Sequence, residues 1–128
     1  MGELTNGVSW LGVISGAVVA FLGGWLWYSE KLFGRKWAEG SRVALGSVAS
    51  TPVGALVSQA VGLFLMSWFV GVTAASNALL TVILATVAFT VLGYSGGTFS
   101  QKSTYARAVD AGYWIVCLIL MVICQAIF

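Results

Sequence analysis

The sequence predicts an all-α fold, a four-helix bundle integral to a membrane, and three observations carry that prediction. Of 128 residues, 59% are hydrophobic and only 8% are charged, against about a quarter charged in an ordinary soluble domain. The apolar residues fall into four runs, each at or above the roughly 20 residues that a helix needs to cross a bilayer. All six basic residues lie either between the first and second runs or between the third and fourth. Four crossings therefore collect every basic side chain on one side.

The first run covers about residues 8–28, which as a helix would be about 31 Å long and match the hydrocarbon core. The second covers about 43–72 and contains the only proline, Pro52. A proline there predicts a kink just before it or a helix that starts at it. The third run spans about 77–99 after a tight turn from Gly71 to Asn77, and the fourth about 109–128. Together they form a single transmembrane domain over 1–128, with polar connections at 29–42 and 95–107.

Lys31, Arg35, Lys36 and Arg42 occupy the first of these connections, and Lys102 and Arg107 the second. The positive-inside rule makes that side cytoplasmic and puts both termini on the non-cytoplasmic side. The residues before the first run carry Glu3 and no Lys or Arg, so the N-terminus reads as a retained helix rather than a cleavable signal peptide. Trp25, Trp27, Tyr28, Phe33 and Trp37, with Tyr105, Tyr113 and Trp114, fall where this topology puts the cytoplasmic interface, and belt anchoring explains most of them. Lys31, Arg35, Lys36 and Arg42 beside Trp37 are candidates for contact with anionic lipid headgroups, although setting topology also accounts for them.

Small residues recur every four positions on the first two helices: Gly12, Gly16, Ala20 and Gly24, then Gly46, Ser50, Gly54, Ser58 and Gly62. Such stripes let helix backbones approach closely in lipid, where the hydrophobic effect drives no association. The two stripes either face each other, making a tight first hairpin, or one of them faces a second protomer. The second half carries weaker series, so closer packing is expected in the first half.

A repeat with an offset of 66 aligns Tyr28, Ser29, Phe33 and Lys36 with Tyr94, Ser95, Phe99 and Lys102, and Leu26, Val43 and Gly46 with Leu92, Val109 and Gly112. A true duplication would make the fold two tandem parallel helical hairpins related about the membrane normal. Accidental matches in an apolar, low-complexity chain are the competing explanation.

The segment WYSEKLFGRKW (27–37), followed by DAGYWIVCLILM (110–121), resembles a small prokaryotic membrane family catalogued as domain of unknown function 1761. Its pattern is carried here by Trp10, by Trp27, Tyr28, Ser29, Leu32, Phe33, Gly34, Lys36 and Trp37, and by Ala111, Gly112 and Tyr113. The resemblance covers essentially the whole chain in order and spacing. It implies a four-helix membrane fold, a prokaryotic plasma membrane and no assigned activity. Where relatives often have histidine after the Gly-Tyr pair this chain has Trp114, which removes any proton or metal role that residue would carry.

Catalytic chemistry is not written in the sequence. Histidine is absent, and the acids Glu3, Glu30, Glu39 and Asp110 are scattered. Cys117 and Cys124 stand i, i+7 on one helix, too far apart for a disulfide and too few for a zinc site. No cofactor or metal is expected, an enzyme is the least favoured class, and the low charge excludes a nucleic-acid partner. Three residues remain as candidates for a polar path or for pairing. Asp110 is expected to begin the last helix and pair with Arg107, and Gln59 is the deepest amide, bonded between helices or lining a pore. Two functional classes follow. One is a structural or accessory subunit, in a homo-oligomer or a larger membrane complex; the other is an oligomeric small-solute transporter or channel. In the second, Gln59, Ser58, Thr86 and Asp110 would converge on a wet path.

Overall fold

The computed structural model describes residues 2–29, 32–41 and 53–128. Lys31, Arg42, Gly46, Ser50 and the bend expected before Pro52 lie outside the described residues. Six helices and no strand are present among the described residues: α1 Gly2–Thr5, α2 Trp10–Trp27, α3 Gly34–Ser41, α4 Val53–Ala75, α5 Leu79–Phe99 and α6 Thr104–Ile127. Four of these, α2, α4, α5 and α6, are long and apolar enough to cross a bilayer. The chain is a multi-pass membrane protein.

The distribution of side chains agrees with lipid as the solvent. Leu80 is 81% exposed and Leu84 72%, whereas Ser67 is 1% and Thr73 5% exposed. In water that pattern would be inside out; in hydrocarbon the large apolar side chains meet lipid, while small and polar ones make the helix contacts.

The helix ends follow local chemistry. Ser9 caps α2 by accepting the Gly12 N–H at 3.2 Å, and Ser103 caps α6 by accepting that of Ala106 at 3.0 Å. α6 thus begins five residues before the expected 109. The connection from α4 to α5 takes only residues 76–78, because Asn77 adopts a left-handed φ of 55°. That turn lets Ala78 N–H bond back to Thr73 O at 2.7 Å. Gln101, with φ 62°, ends α5 in the same way, and Lys102 N–H reaches Gly97 O at 2.9 Å.

α2 packs between α4 and α6, α5 leans mainly on α6, and α4 meets α5 only sparsely. A core of Ala20, Leu63, Val70, Val82, Tyr113, Cys117, Leu118 and Met121 fills the centre. Under the 66-residue duplication the α2–α6 and α5–α4 interfaces would be equivalent, but one is closely packed and the other open.

The close approach of α2 is not to its sequence neighbour's stripe. Gly12, Gly16, Ala20 and Gly24 are all buried. A Cβ at Gly12 would meet Gln125, and one at Gly24 would meet Tyr113, both on α6. A Cβ at Gly16 would meet Ser67 of α4 and Met121 of α6. The described part of the second stripe, Gly54, Ser58 and Gly62, is exposed, and nothing lies within 4 Å of a Cβ placed at either glycine. The α2 stripe therefore does not face the described part of the second stripe. Among the described residues the most extensive contact joins the first and last crossings rather than lying within the first half.

Candidate functional site

The two segments that carry the resemblance, 27–37 and 110–121, meet at one end of the bundle around Asp110. Its Oδ1 accepts the Tyr28 hydroxyl at 2.5 Å and the Trp37 indole N–H at 2.9 Å. Its Oδ2 accepts the Lys102 ammonium at 2.9 Å. A carboxylate held by three donors, one of them charged, has both oxygens engaged and its charge balanced.

Each partner is positioned by its own element. Tyr28 is the C-cap of α2. Past it the chain folds back, and Gly34 N–H bonds to Ser29 O at 2.9 Å. Only glycine fits at 34, since a Cβ there would fall on the Tyr28 carbonyl. That fold sends α3 across the start of α6, where Ser103 N–H bonds to Gly40 O at 3.1 Å and brings Trp37 to Asp110. Lys102 is delivered by the left-handed end of α5.

Aromatic rings close the cluster. Tyr28 stands edge-on to Trp37 at 4.8 Å and to Tyr113 at 5.4 Å, and Trp27 lies 4.6 Å from Phe33. Trp27 donates its indole N–H to Val109 O at 3.0 Å. Its ring reaches that carbonyl over Gly112, where a Cβ would approach it to 3.0 Å. One residue beyond the α2 span, burial and then the adjacent Asp110 carboxylate push the Tyr28 hydroxyl well above the ordinary phenol range, so it remains the donor.

Deeper in the bundle, Tyr113 donates to Ala20 O at 2.9 Å and accepts from Gln59 Nε2 at 3.4 Å. Gln59 is thus engaged in a bond between helices. Ser58 returns its hydroxyl to Ala55 O at 3.0 Å on an exposed face, and Thr86 is buried on α5. The polar residues singled out in the sequence do not converge within the chain.

Arg107 does not pair with Asp110. Its guanidinium turns away to the Tyr94 ring at 4.8 Å, to the Thr98 hydroxyl and to Thr104 Oγ1 at 2.9 Å. Asp110 is not at the helix start either, since α6 begins at Thr104. Tyr28, Trp37 and Lys102 are the partners that the sequence did not identify. A readable signal existed: interfacial Tyr and Trp donors need acceptors once buried, and Asp110 is the one acid in the fourth run. Belt anchoring does not describe Trp27, Tyr28, Trp37 and Tyr113, which turn inward and bond. Arg35 and Lys36 are exposed, with the Lys36 ammonium over the Tyr105 ring at 5.4 Å.

No curated protein and no solved structure matches the chain. The profile of the family described as "Protein of unknown function (DUF1761)" matches residues 11–126, which contain every member of the Asp110 cluster. The chain belongs to that family.

Proposed function

We propose that this protein is a non-catalytic membrane subunit that assembles through its lipid-facing helices, as a homo-oligomer or within a larger membrane complex. One observation carries the reading. Two stripes of small residues have the same spacing; the α2 stripe is covered by α6 and α4, while Gly54, Ser58 and Gly62 on α4 are bare. A flat helix face in lipid gains packing only when another helix covers it. The engagement of both Asp110 oxygens and the absence of histidine from the sequence support a structural rather than a catalytic role.

The alternative, an oligomeric small-solute transporter or channel, is less well supported, because Gln59 is tied to Tyr113 and Ser58 to its own helix. The end of the bundle that carries Asp110 is assigned to the cytoplasm, with both termini outside and the plasma (inner) membrane as the location. Lys36, Lys102 and Arg107 support that orientation by gathering there on aromatic rings. Arg35 and Lys36 are free to meet anionic headgroups in the same orientation.

The deciding measurement is the mass of the protein extracted gently from its native membrane with lipids and partners retained. A defined multiple of the chain mass, or recovery in a larger complex, is expected; a lone monomer overturns the reading. Cysteine labelling at Arg35 and Thr5 in sealed cells tests the orientation, with Thr5 alone expected to react from outside.

A further inference from the structure

Along the crossing helices a hydroxyl in hydrocarbon is normally satisfied by its own backbone. Ser15, Ser58, Thr73, Ser76, Thr98 and Ser100 all donate to a carbonyl three or four residues earlier. Thr90 does not: its Oγ1 is buried and has no hydrogen-bond partner. Thr86, one turn earlier on α5, is 8% exposed, and its hydroxyl makes no hydrogen bond among the described residues.

Both threonines line a groove of about 460 Å³ between α4 and α5, walled by Leu65, Met66, Phe69, Phe89 and Trp114. The same helix faces continue into open glycines. Gly62 lies three residues before Leu65, Gly93 lies three after Thr90, and a Cβ at either would have nothing within 4 Å.

We propose that this groove is the seam of a twofold homodimer, in which the groove-lining Thr86 hydroxyls of the two copies hydrogen-bond to one another and Thr90, whose hydroxyl is enclosed in the single copy, rotates about χ1 to join them. The proposal rests on the self-assembly reading above and names its interface. Copies that insert with one orientation are related by an axis along the membrane normal, so a residue near the axis meets its own counterpart at equal depth. Few side chains complement themselves. A hydroxyl does, being donor and acceptor at once, whereas like charges would repel.

The depth of the two threonines argues for a second copy over a lipid. Thr86 and Thr90 lie near the middle of the 21-residue α5, roughly 10 to 14 Å from the nearer helix end. Phospholipid headgroups and their polar linkages stay at the interface, and an acyl chain offers no hydrogen bond. The second copy brings polar groups at the matching depth. Gly62 and Gly93 let the backbones approach, and Phe89, 70% exposed at the lip of the groove, supplies a side chain to enter the opposite groove.

The test is oxidative cross-linking of Thr86→Cys and Thr90→Cys, each in the full chain in its native membrane, read as a dimer on a non-reducing gel. The native cysteines are buried and supply the blank; Ile119→Cys, exposed on α6, is the control for collisional contact. A disulfide requires Cα atoms within about 7 Å, so a dimer at either threonine with none at Ile119 is the expected result. The double variant Thr86→Val/Thr90→Val is expected to weaken dimerisation roughly tenfold, as the loss of a few interhelical hydrogen bonds in lipid should. An oligomeric mass with no cross-link at either threonine overturns the seam and leaves self-assembly standing; a monomeric mass overturns both. Retention of a non-protein, lipid-soluble mass by the native chain, lost in the double valine variant, overturns the dimer seam in favour of a ligand.

Discussion

The Tyr28 hydroxyl donates to Asp110 Oδ1 at 2.5 Å across 82 residues of sequence. Together with the bonds from Trp37 and Lys102, it fastens the end of α2, the short α3 and the end of α5 to one carboxylate on α6. Asp110→Asn keeps the shape but loses the charge and turns an amide N–H₂ toward a donor. The expected cost is about 1–3 kcal/mol. Lys102→Met, which removes one partly exposed ion pair, should cost under about 1 kcal/mol. Thermal unfolding in micelles checks the order. Tryptic cleavage at the exposed Arg35 and Lys36 should quicken in Asp110→Asn as α3 is released; unchanged cleavage would show that α3 is held by other contacts.

Glycines of similar sequence context should differ sharply. A Cβ at Gly24 would lie 2.5 Å from the Tyr113 hydroxyl oxygen and 2.9 Å from Cζ, and that ring is buried between α2 and α6. Gly24→Ala should therefore destabilise by about 1–3 kcal/mol through overpacking. Gly62→Ala meets nothing and should leave the monomer within about 0.5 kcal/mol of native, while its association in lipid weakens. Unfolding and cross-linking measured on both variants separate fold from assembly.

Ser67 and Gly16 form a couple. Ser67 donates to Val13 O at 2.7 Å, and a Cβ at Gly16 would stand 2.7 Å from its Oγ. Ser67→Ala alone should cost about 0.6–1.7 kcal/mol, the range for hydrogen bonds between membrane helices. Gly16→Ala should cost less in the Ser67→Ala background than in the native one, with a coupling of about 0.5 kcal/mol or more. Strict additivity in the double-mutant cycle would mean that the two sites relax independently.

The turn between α4 and α5 depends on Asn77 at φ 55°. Asn77→Ala should destabilise by about 1 kcal/mol, and Asn77→Gly should be neutral or better, because the left-handed region costs a Cβ-bearing residue about that much. Thermal scans of the pair test this, and equal midpoints would show that the connection does not need the conformation.

The four crossings were legible in the sequence because lipid imposes a single strong requirement: an apolar run long enough to satisfy its own backbone across the hydrocarbon. Composition records that requirement directly. The boundaries were less legible, since Ser103 starts α6 in a polar stretch where hydropathy is silent and only capping chemistry marks the helix. The α2 stripe could be read as a packing face. Its partner could not, because a small-residue stripe states that something comes close and not which helix it is.

The site divided in the same way. Asp110 could be chosen from the sequence as an ionisable group entering a membrane helix, and the Trp-Tyr-Ser and Ala-Gly-Tyr segments stood out by their resemblance to the family. Nearness in sequence pointed to Arg107 as its partner, but Arg107 turns to Tyr94 and Thr98 on α5. Tyr28, Trp37 and Lys102 reach the carboxylate instead. Their pairing depends on how α3 folds back at Gly34 and how α5 ends at Gln101, geometries that arise only once the helices are packed. By itself the sequence determined that the chain crosses a bilayer and which faces can approach closely. Tertiary structure decided which faces meet, because helix pairing in lipid depends on shape and hydrogen-bond fit between elements distant in sequence, neither of which local pattern encodes.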